Sequence, residues 1–319
     1  MAASLAFLAA AAIVVAPLPG AEGLYLLPGT FAAGHQPDGN TVVLEGQKEL
    51  VVFDTGRHKA HRKAILEFAQ GRGKPIAAIV NSHWHLDHVS GNPDLKAAYP
   101  GARVYASDAI DEALTGFLAN SARQGREMLE GGKLEADRAE ELRGDLATIE
   151  NGQALKPDVV VTRSQTVRLA GRALDIHLAP HAATAGDLWL YDPKSRTAMV
   201  GDLVTLPAPF LDTACAAGWS RALDEVERTP FVRLVSGHGP VMTRDDFGRY
   251  RTAFTAFVAC ARTDKPAAIC AGEWATAVGP LLGDDPVQPR AAKGMASYYV
   301  EQVLRGGGEA RSGCSSSAT

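Results

Sequence analysis

Apolar residues along the chain follow two patterns: short runs typical of strands, and longer segments with helical spacing. Runs at 41–44 and 49–53 predict two strands around a turn at Gly46. Residues 58–69 place apolar side chains on one shared face, which predicts a helix. The continuous apolar run at 76–80 predicts a buried strand, because a strand covered on both faces needs no polar alternation.

The same two patterns continue through the rest of the chain. Residues 107–150 are polar, charged and helix-prone, which predicts a helical insertion or cap of two to three helices. Further strands are predicted at 103–106, 159–169, 173–178, 188–191, 197–200 and 233–235. A loop is expected at 205–219, and helices dominate from residue 245 onward. Strands and helices recur in two halves, which predicts an α/β domain of two mixed sheets packed together with helices outside.

The two ends of the chain differ from the middle. Residues 5–18 form a nearly unbroken apolar run, shorter than the roughly 20 residues that span a bilayer. The run therefore predicts a signal peptide over 1–22, no stable membrane span, and a periplasmic or secreted protein. No Lys or Arg precedes it, which leaves a buried N-terminal helix or a misassigned start codon as alternatives. The domain then covers 23–305, and the Gly- and Ser-rich residues 306–319 are expected to be a disordered tail.

Composition and charge narrow the classes of function. The chain has 319 residues, of which 46% are hydrophobic and 21% charged, an ordinary globular balance. A net charge of -4 without a strong basic block argues against a nucleic-acid partner. The four cysteines include no C-x-x-C pair, so a structural thiolate zinc site is not expected. Cys260 and Cys270 are close enough in sequence to bridge two helices, although the pairing does not follow from sequence.

Candidate metal ligands follow directly after the buried strand at 76–80. His83, His85 and His88 supply imidazoles and Asp87 a carboxylate, which are donors that suit zinc. In extended backbone His83 and His85 point the same way, so they can hold one ion together. Asp87 and His88 fall in the following turn and can face a second position. Because α/β folds build their sites at strand ends, this cluster predicts a metal centre.

Two further candidates occupy similar positions after later strands. Asp202 follows the strand at 197–200, and His238 follows the strand at 233–235. Each is next to glycine, which lets the backbone approach an ion closely. We therefore expect both side chains to join the ligands at 83–88.

These segments together resemble the metallo-β-lactamase-fold superfamily over residues 24–245. The matching pieces are Asp54-Thr55-Gly56, the His-x-His-x-Asp-His run at 83–88, Gly201-Asp202 and Gly237-His238-Gly239. The resemblance implies an αββα sandwich with a zinc site at its edge. Within the superfamily, residues 186–191 and the long loop after Asp202 are most similar to bacterial zinc metallohydrolases linked to quinoprotein relay systems.

The resemblance also implies how the ligands divide between two ions. His83 and His85 would hold the first ion, and Asp202 would bridge both. The second ion would be held by Asp87, His88 and His238. One or two zinc ions are therefore expected.

One departure affects the first ion. The family usually has a further histidine just before a Thr-x-Gly-Asp segment, which here is Thr184 to Asp187, but Ala183 occupies that position. The nearest histidine is His181, and a local bend would be needed to bring it in as a ligand. Otherwise the first ion is short of one donor. The remaining histidines carry less signal, and His58 and His61 are expected on the surface of their helix.

The expected activity is that of a zinc-dependent hydrolase acting on a small molecule. Zinc lowers the pKa of bound water toward about 7, and the resulting metal-bound hydroxide would attack an ester, lactone, lactam or thioester. Asp87 is the expected catalytic residue, since it can orient that nucleophile or accept its proton. No Gly-x-Ser-x-Gly elbow is present, so a serine nucleophile is not indicated.

Two other functions remain open from the sequence. Iron accepts the same imidazole and carboxylate ligands, so an iron-dependent oxidoreductase on the same fold is one alternative. A non-catalytic metal-binding module with a degraded first position is the other, and Ala183 is the feature in its favour.

Overall fold

The computed structural model describes residues 15–32, 34–307 and 314. Thirteen strands and ten α-helices follow one another along this part of the chain. The strands are β1 (Ala16–Pro17), β2 (Leu24–Leu27), β3 (Thr41–Glu45), β4 (Leu50–Phe53), β5 (Ile76–Val80), β6 (Arg103–Ala106), β7 (Val159–Val160), β8 (Gln165–Leu169), β9 (Arg172–Pro180), β10 (Gly186–Asp192), β11 (Thr197–Met199), β12 (Arg233–Val235) and β13 (Val241–Met242). The helices are α1 (Lys59–Arg72), α2 (Leu86–Val89), α3 (Asn92–Ala98), α4 (Ala109–Thr115), α5 (Phe117–Glu130), α6 (Ala136–Glu150), α7 (Ala216–Arg228), α8 (Arg244–Ala261), α9 (Ala267–Val278) and α10 (Gln288–Tyr298).

Two mixed β-sheets form the centre of the molecule. The first contains β1 to β7 in sequence order, antiparallel from β1 to β4 and parallel from β4 to β7. The second has the order β13-β12-β11-β10-β9-β8, with β11 and β12 parallel and the other neighbours antiparallel. The segment 159–169, predicted as strand, therefore divides between the sheets, because β7 closes the first and β8 begins the second.

The core lies in three layers around these sheets. Between the sheets, apolar side chains such as Val42, Val51, Ile176 and Leu188 are fully buried against one another. The outer face of the first sheet packs against α1 and α3. The outer face of the second sheet packs against α7, α8, α9 and α10. This order of helix, sheet, sheet and helix confirms the αββα sandwich, and it buries the apolar face of every layer.

Three helices, α4 to α6, occupy the segment where the helical insertion was expected. Ile110, Ala113 and Leu118 from this segment form a separate apolar cluster with Trp84 and Leu86, which flank the predicted ligand His85. The insertion is therefore packed directly against the turn that carries the predicted ligands. The loop expected at 205–219 is shorter, because α7 already begins at Ala216.

The N-terminal segment is described only in part. Residues 1–14 of the predicted signal peptide lie outside the described residues. Ala16–Pro17 pairs with β2 at the edge of the first sheet, and Leu18 and Ala21 are buried. The signal peptide stays a prediction. Within the described residues, none of the helices combines the length and the apolar character needed to cross a bilayer.

Two disulfides join elements on the outer side of the second sheet. Cys260 and Cys270 link α8 to α9, as their spacing suggested. Cys314 is bonded to Cys215, the residue that precedes α7. Most of the predicted disordered tail lies outside the described residues, so that prediction is open.

Candidate metal centre

Six of the predicted ligands lie on turns that follow three strands, β5, β11 and β12. The segment after β5 carries His83 and His85 and continues into α2, which carries Asp87 and His88. Asp202 lies in a single 3-10 turn after β11, and His238 follows β12. Asp54 follows β4 in a left-handed backbone conformation with φ 60 and is fully buried. Ends of neighbouring strands thus bring distant parts of the chain to one place.

Asp87, His88 and His238 form one convergent set, which we call the Asp87 group. Their ligand atoms all lie within 4.8 Å of one another. His238 Nε2 is 2.9 Å from Asp87 Oδ2 and 3.3 Å from His88 Nε2. These three donors therefore surround one small volume, as a single cation requires.

His83, His88 and Asp202 form a second set, which we call the His83 group and which meets the same limit of 4.8 Å. Asp202 Oδ2 is 3.6 Å from His83 Nε2 and 3.9 Å from His85 Nδ1. Asp202 Oδ1 is 3.2 Å from His88 Nε2 and 3.5 Å from His238 Nε2. Asp202 thus lies between the two groups, in the place that a bridging carboxylate would occupy.

A chain of hydrogen bonds ending at Asp54 orients two of the imidazoles. Asp54 Oδ2 accepts from His88 Nδ1 at 2.8 Å and from the Ser82 hydroxyl at 2.7 Å. Because the Ser82 hydroxyl donates its hydrogen to Asp54, it accepts from His83 Nδ1, 2.9 Å away. Both rings therefore carry a hydrogen on Nδ1, and Nε2 is left to face the site.

Thr213 orients the third imidazole in the same way. Its hydroxyl donates to the carbonyl oxygen of Ala183 at 3.0 Å. The hydroxyl therefore accepts from His85 Nε2, also at 3.0 Å, and leaves Nδ1 free on the side of Asp202. Position 183 lacks the family's histidine, yet its backbone still helps to hold His85 in place.

Two glycines make room for Asp202. A Cβ atom on Gly237 would lie 2.0 Å from Asp202 Oδ1, closer than any real contact. A Cβ on Gly201 would lie 2.3 Å from the Cβ of Ser82, and Gly201 also has a left-handed φ of 51. The glycines beside the ligands are thus required by the close approach of backbone segments.

The carboxylates and imidazoles of the two groups shift one another's pKa values. Burial opposes the ionisation of Asp87, but His88 and His238 hold its pKa well below the usual range. The same two imidazoles hold the pKa of Asp202 low against the effect of burial. Burial disfavours the charged form of His88. The carboxylates of Asp202, Asp54 and Asp87 outweigh this effect and hold the pKa of His88 well above the usual range. A cation that binds here would therefore replace a proton on His88.

Unpartnered polar atoms show that the donor set fits a divalent cation. His83 Nε2 is buried and has no hydrogen-bond partner within the described residues, and the buried Asp202 Oδ1 makes only ion-pair contacts, 3.2 Å from His88 Nε2 and 3.5 Å from His238 Nε2. Burial lowers the pKa of His83 well below its usual value, so its Nε2 carries a free lone pair. Leaving such atoms unpaired costs free energy, and a metal bound to both would remove that cost.

The structure brings six of the seven predicted ligands together and leaves one apart. The six are His83, His85, Asp87, His88, Asp202 and His238. Among the described residues, His181 belongs to neither group of potential ligands. It follows the end of β9 with a φ of 51, and its buried Nδ1 has no hydrogen-bond partner in the described residues. Its role as a ligand stays a prediction.

Arg57 contacts the site, although no sequence pattern indicated it. Its Nη2 lies 3.8 Å from Asp87 Oδ1, on the side away from His238. Its Nη1 donates to Asp145 Oδ2 of α6 at 2.7 Å. Because 88 residues separate Arg57 from Asp145, only the folded chain reveals this link between the insertion and a ligand.

The surface position expected for His61 of α1 was wrong, whereas His58, which precedes α1, keeps 32% of its side chain exposed. His61 is fully buried and lies 2.8 Å from the Thr41 hydroxyl. His58 bridges Asp38 and Glu141, each at 2.8 Å. Helical spacing locates the helix but does not tell which polar side chains face inward.

A cavity of about 540 Å³ opens over the two groups. His85, Asp87, Asp202 and His238 contribute to its wall, so the ligands are accessible from it. Side chains of α5 and α6 line the opposite side. The insertion thus caps the cleft, and a small molecule inside would contact both the cap and the ligands.

Relatives among characterised proteins share short parts of the chain. A hydroxyacylglutathione hydrolase from Gloeobacter violaceus is 48% identical over 48 residues, which are 15% of this chain and 19% of the relative. The human hydroxyacylglutathione hydrolase-like protein is 34% identical over 79 residues, 25% of this chain and 26% of the relative. A linear primary-alkylsulfatase from a Pseudomonas species is 33% identical over 84 residues, 26% of this chain and 15% of the relative. The chain therefore spans about a quarter or less of the length of these relatives.

Solved structures and a family model cover much more. A metallo-beta-lactamase from Pontibacter korlensis superposes with a TM-score of 0.55 over 76% of this chain and 98% of its own, at 19% identity. A sec-alkyl sulfatase superposes with a TM-score of 0.54 over 75% of this chain and 41% of its own, at 21% identity. At these identities the likeness concerns the fold. The model of the metallo-beta-lactamase superfamily matches residues 36–256, which include all the predicted ligands. The chain belongs to the metallo-beta-lactamase superfamily.

Proposed function

We propose that the protein is a zinc-dependent hydrolase of a small ester, lactone, lactam or thioester. The observation that carries the proposal is the convergence of the Asp87 group and the His83 group on the wall of one cavity. The relatives named hydroxyacylglutathione hydrolases share segments of this chain, which supports hydrolysis as the reaction class.

The two groups would hold one or two zinc ions through their imidazoles and carboxylates. Bound zinc supplies a water of lowered pKa, near about 7, and an electrophile that stabilises developing negative charge. The protein contributes orientation: Asp54 and Thr213 fix the rings, and Arg57 lies against the outer oxygen of Asp87. Ionised Asp87 lies on the cavity wall, where it can orient a water molecule or accept its proton.

Metal content and turnover, measured together, test this function. The purified protein is analysed for bound metals and assayed on esters, thioesters, lactones and lactams. We expect zinc in the wild type, and we expect Asp87→Ala to lose most turnover without unfolding. The matched control is Asp111→Ala, because Asp111 is an exposed aspartate paired with Lys156 away from the cavity.

Three results would count against the proposal. Unchanged turnover in Asp87→Ala would remove that residue from the mechanism. Iron together with redox activity would favour the oxidoreductase. Bound metal without turnover on any substrate of the panel would favour a non-catalytic metal-binding module.

We also propose export of the protein to the periplasm or the medium, based on the apolar run at 5–18. Assignment to the zinc metallohydrolases linked to quinoprotein relay systems is a proposal of the same standing and rests on residues 186–191. The N-terminus of the mature protein tests export. Cleavage after residue 22 would remove β1 and the buried Leu18, so we expect the cut to come before Ala16 or the edge of the sheet to rearrange.

A further inference from the structure

The walls of the cavity are mainly apolar away from the ligands, which points to a particular kind of substrate. We propose that the hydrolysed molecule is a neutral ester or thioester with a medium-length alkyl or aryl group, and that this group lies between the cap and the ligands. The inference rests on the proposed hydrolase function and adds the substrate class to it.

A path of aromatic rings leads from a metal ligand into the cavity. The ring centroid of His85 is 4.6 Å from that of Trp84 and 5.1 Å from that of Phe210. Phe117 of the cap lies 5.5 Å from Trp84 and 6.3 Å from Phe210, and Tyr299 lies 6.2 Å from Phe210. All four aromatic residues line the cavity. An apolar group attached to a carbonyl near the ligands would therefore contact these rings directly.

Three large apolar side chains that are exposed to solvent line this cavity. Phe31, Phe117 and Met128 are 36%, 38% and 53% exposed, and all three line the cavity. Leu142, Leu146 and Ile149 of α6 add aliphatic surface to the same wall. Apolar surface left open in a concave place marks a binding site more often than a similar side chain alone on a convex surface.

The charged groups of the lining already have partners in the protein. Arg57 is paired with Asp145 at 2.7 Å. His35 is 3.7 Å from Asp137 and 3.9 Å from Glu141. Apart from Tyr299, the other ionisable side chains of the lining are the proposed ligands His85, Asp87, Asp202 and His238. A carboxylate or phosphate on the distal end of the substrate would thus find no unpaired cation among the described lining residues, which favours a neutral group.

The size of the cavity agrees with a substrate of this kind. Small-molecule sites typically enclose about 300–1,000 Å³, and this cavity has a volume of about 540 Å³. It is large enough for an acyl chain of medium length together with its leaving group. A chain as short as acetyl would leave most of the apolar wall in water.

Chain length provides the test. The zinc-loaded protein is assayed on p-nitrophenyl esters from acetate to octanoate and on alkyl acetates from methyl to octyl, which vary the acyl and the alcohol side separately. In at least one series we expect kcat/KM to rise by about two- to fourfold per methylene until the cavity is filled. A second measurement is the ratio of turnover on p-nitrophenyl octanoate to turnover on p-nitrophenyl acetate, compared between variants. This ratio cancels differences between variants in folding and metal loading.

Two variants locate the effect. Phe117→Ala should lower the ratio of octanoate to acetate turnover by about tenfold, since it removes an aromatic ring from the wall. Ile269→Ala is the matched control, because Ile269 is 49% exposed on α9 and does not line the cavity. We expect it to leave the ratio unchanged. An equal drop in both variants would overturn the inference.

The outcomes separate this inference from the proposed function. Clear turnover with a flat dependence on chain length in both series would overturn the apolar substrate and leave the hydrolase intact. If no compound of the panel is turned over, the hydrolase fails, and binding of octanoate by calorimetry then decides the inference. Binding of octanoate that is tighter than that of acetate and is lost in Phe117→Ala would support the apolar binding site between the cap and the ligands, and equal binding of acetate and octanoate would overturn it.

Discussion

The Asp87 group and the His83 group share His88 and have three donors each, but they differ in how closely those donors approach one another. The Asp87 group has a carboxylate and two imidazoles, and its shortest contact is 2.9 Å. In the His83 group the contacts to Asp202 are longer, and position 183 offers a backbone carbonyl to Thr213 where the family usually has a further ligand. From this difference we expect two metal positions of unequal affinity, one that would hold an ion tightly and one that would bind a second ion weakly.

Removal of a donor from the stronger position should have the largest effect. We expect His238→Ala to lose the tightly held ion and to lower kcat/KM by roughly 10³-fold, because several kcal/mol of charge stabilisation go with the ion. His177→Ala is a suitable control, since His177 stacks on Trp189 at 3.7 Å outside the cavity lining. Full metal content and turnover in His238→Ala would show that the Asp87 group is not the stronger position.

Among the residues that orient the ligands, those that act on the stronger metal position should also have the larger effect on metal affinity. Asp54→Asn disturbs both groups, because Asp54 holds His88 directly and His83 through Ser82. We expect metal affinity to fall by about 10–100-fold. Thr213→Val, which affects only His85, should lower the affinity for the weaker ion alone. The measurement is competition with a chelator, and equal effects of the two variants on both ions would contradict the ranking.

A donor added to the weaker position should reduce the difference in metal affinity between the two positions. Ala183→His restores the family's ligand beside Thr213, and we expect the dissociation constant of the weaker ion to fall by about tenfold or more. Ala183→Leu adds bulk without a donor and serves as the control, because Ala183 is buried and either change strains the packing. Metal stoichiometry after dialysis reports the result. Tighter binding in both variants would trace the effect to packing, and unchanged binding in Ala183→His would refute a missing donor.

Substitution of His58, which belongs to neither group, should have the smallest effect, and that effect is on the stability of the fold. The hydrogen bond to Asp38 raises the pKa of His58 to about 9, against the effect of burial and with help from Glu141. A histidine with a raised pKa stabilises the fold fully below about pH 6.5, and that contribution is lost as the pH rises through about 9. Solvent screening limits it to on the order of 1 kcal/mol. Chemical unfolding between pH 6 and pH 10 should therefore show a loss of stability that His58→Gln lacks, and parallel pH profiles would contradict it.

The sequence predicted those parts of the site whose residues come directly after a recognisable strand. The run at 83–88 follows a strand whose apolar pattern is plain, and Asp202 and His238 follow strands in the same way. The position of His61 required the folded structure, because its burial depends on contact with β3. The roles of Thr213 and Arg57 also arise from distant contacts, which leave no spacing or composition signal. The division of 159–169 between two sheets was likewise decided by pairing partners.

The ion pair between Arg57 and Asp145 limits how the enzyme can be re-engineered or can diverge. Asp145 belongs to α6, so the element that shapes the substrate cavity also neutralises the guanidinium beside a metal ligand. A chimera that exchanges the cap for one without an acid at this point would leave a buried cation next to Asp87, and that cation would compete with the metal for the carboxylate. We therefore expect substrate range and metal retention to be inherited together, and we expect a transplanted cap to need its aspartate or a neutral residue at position 57.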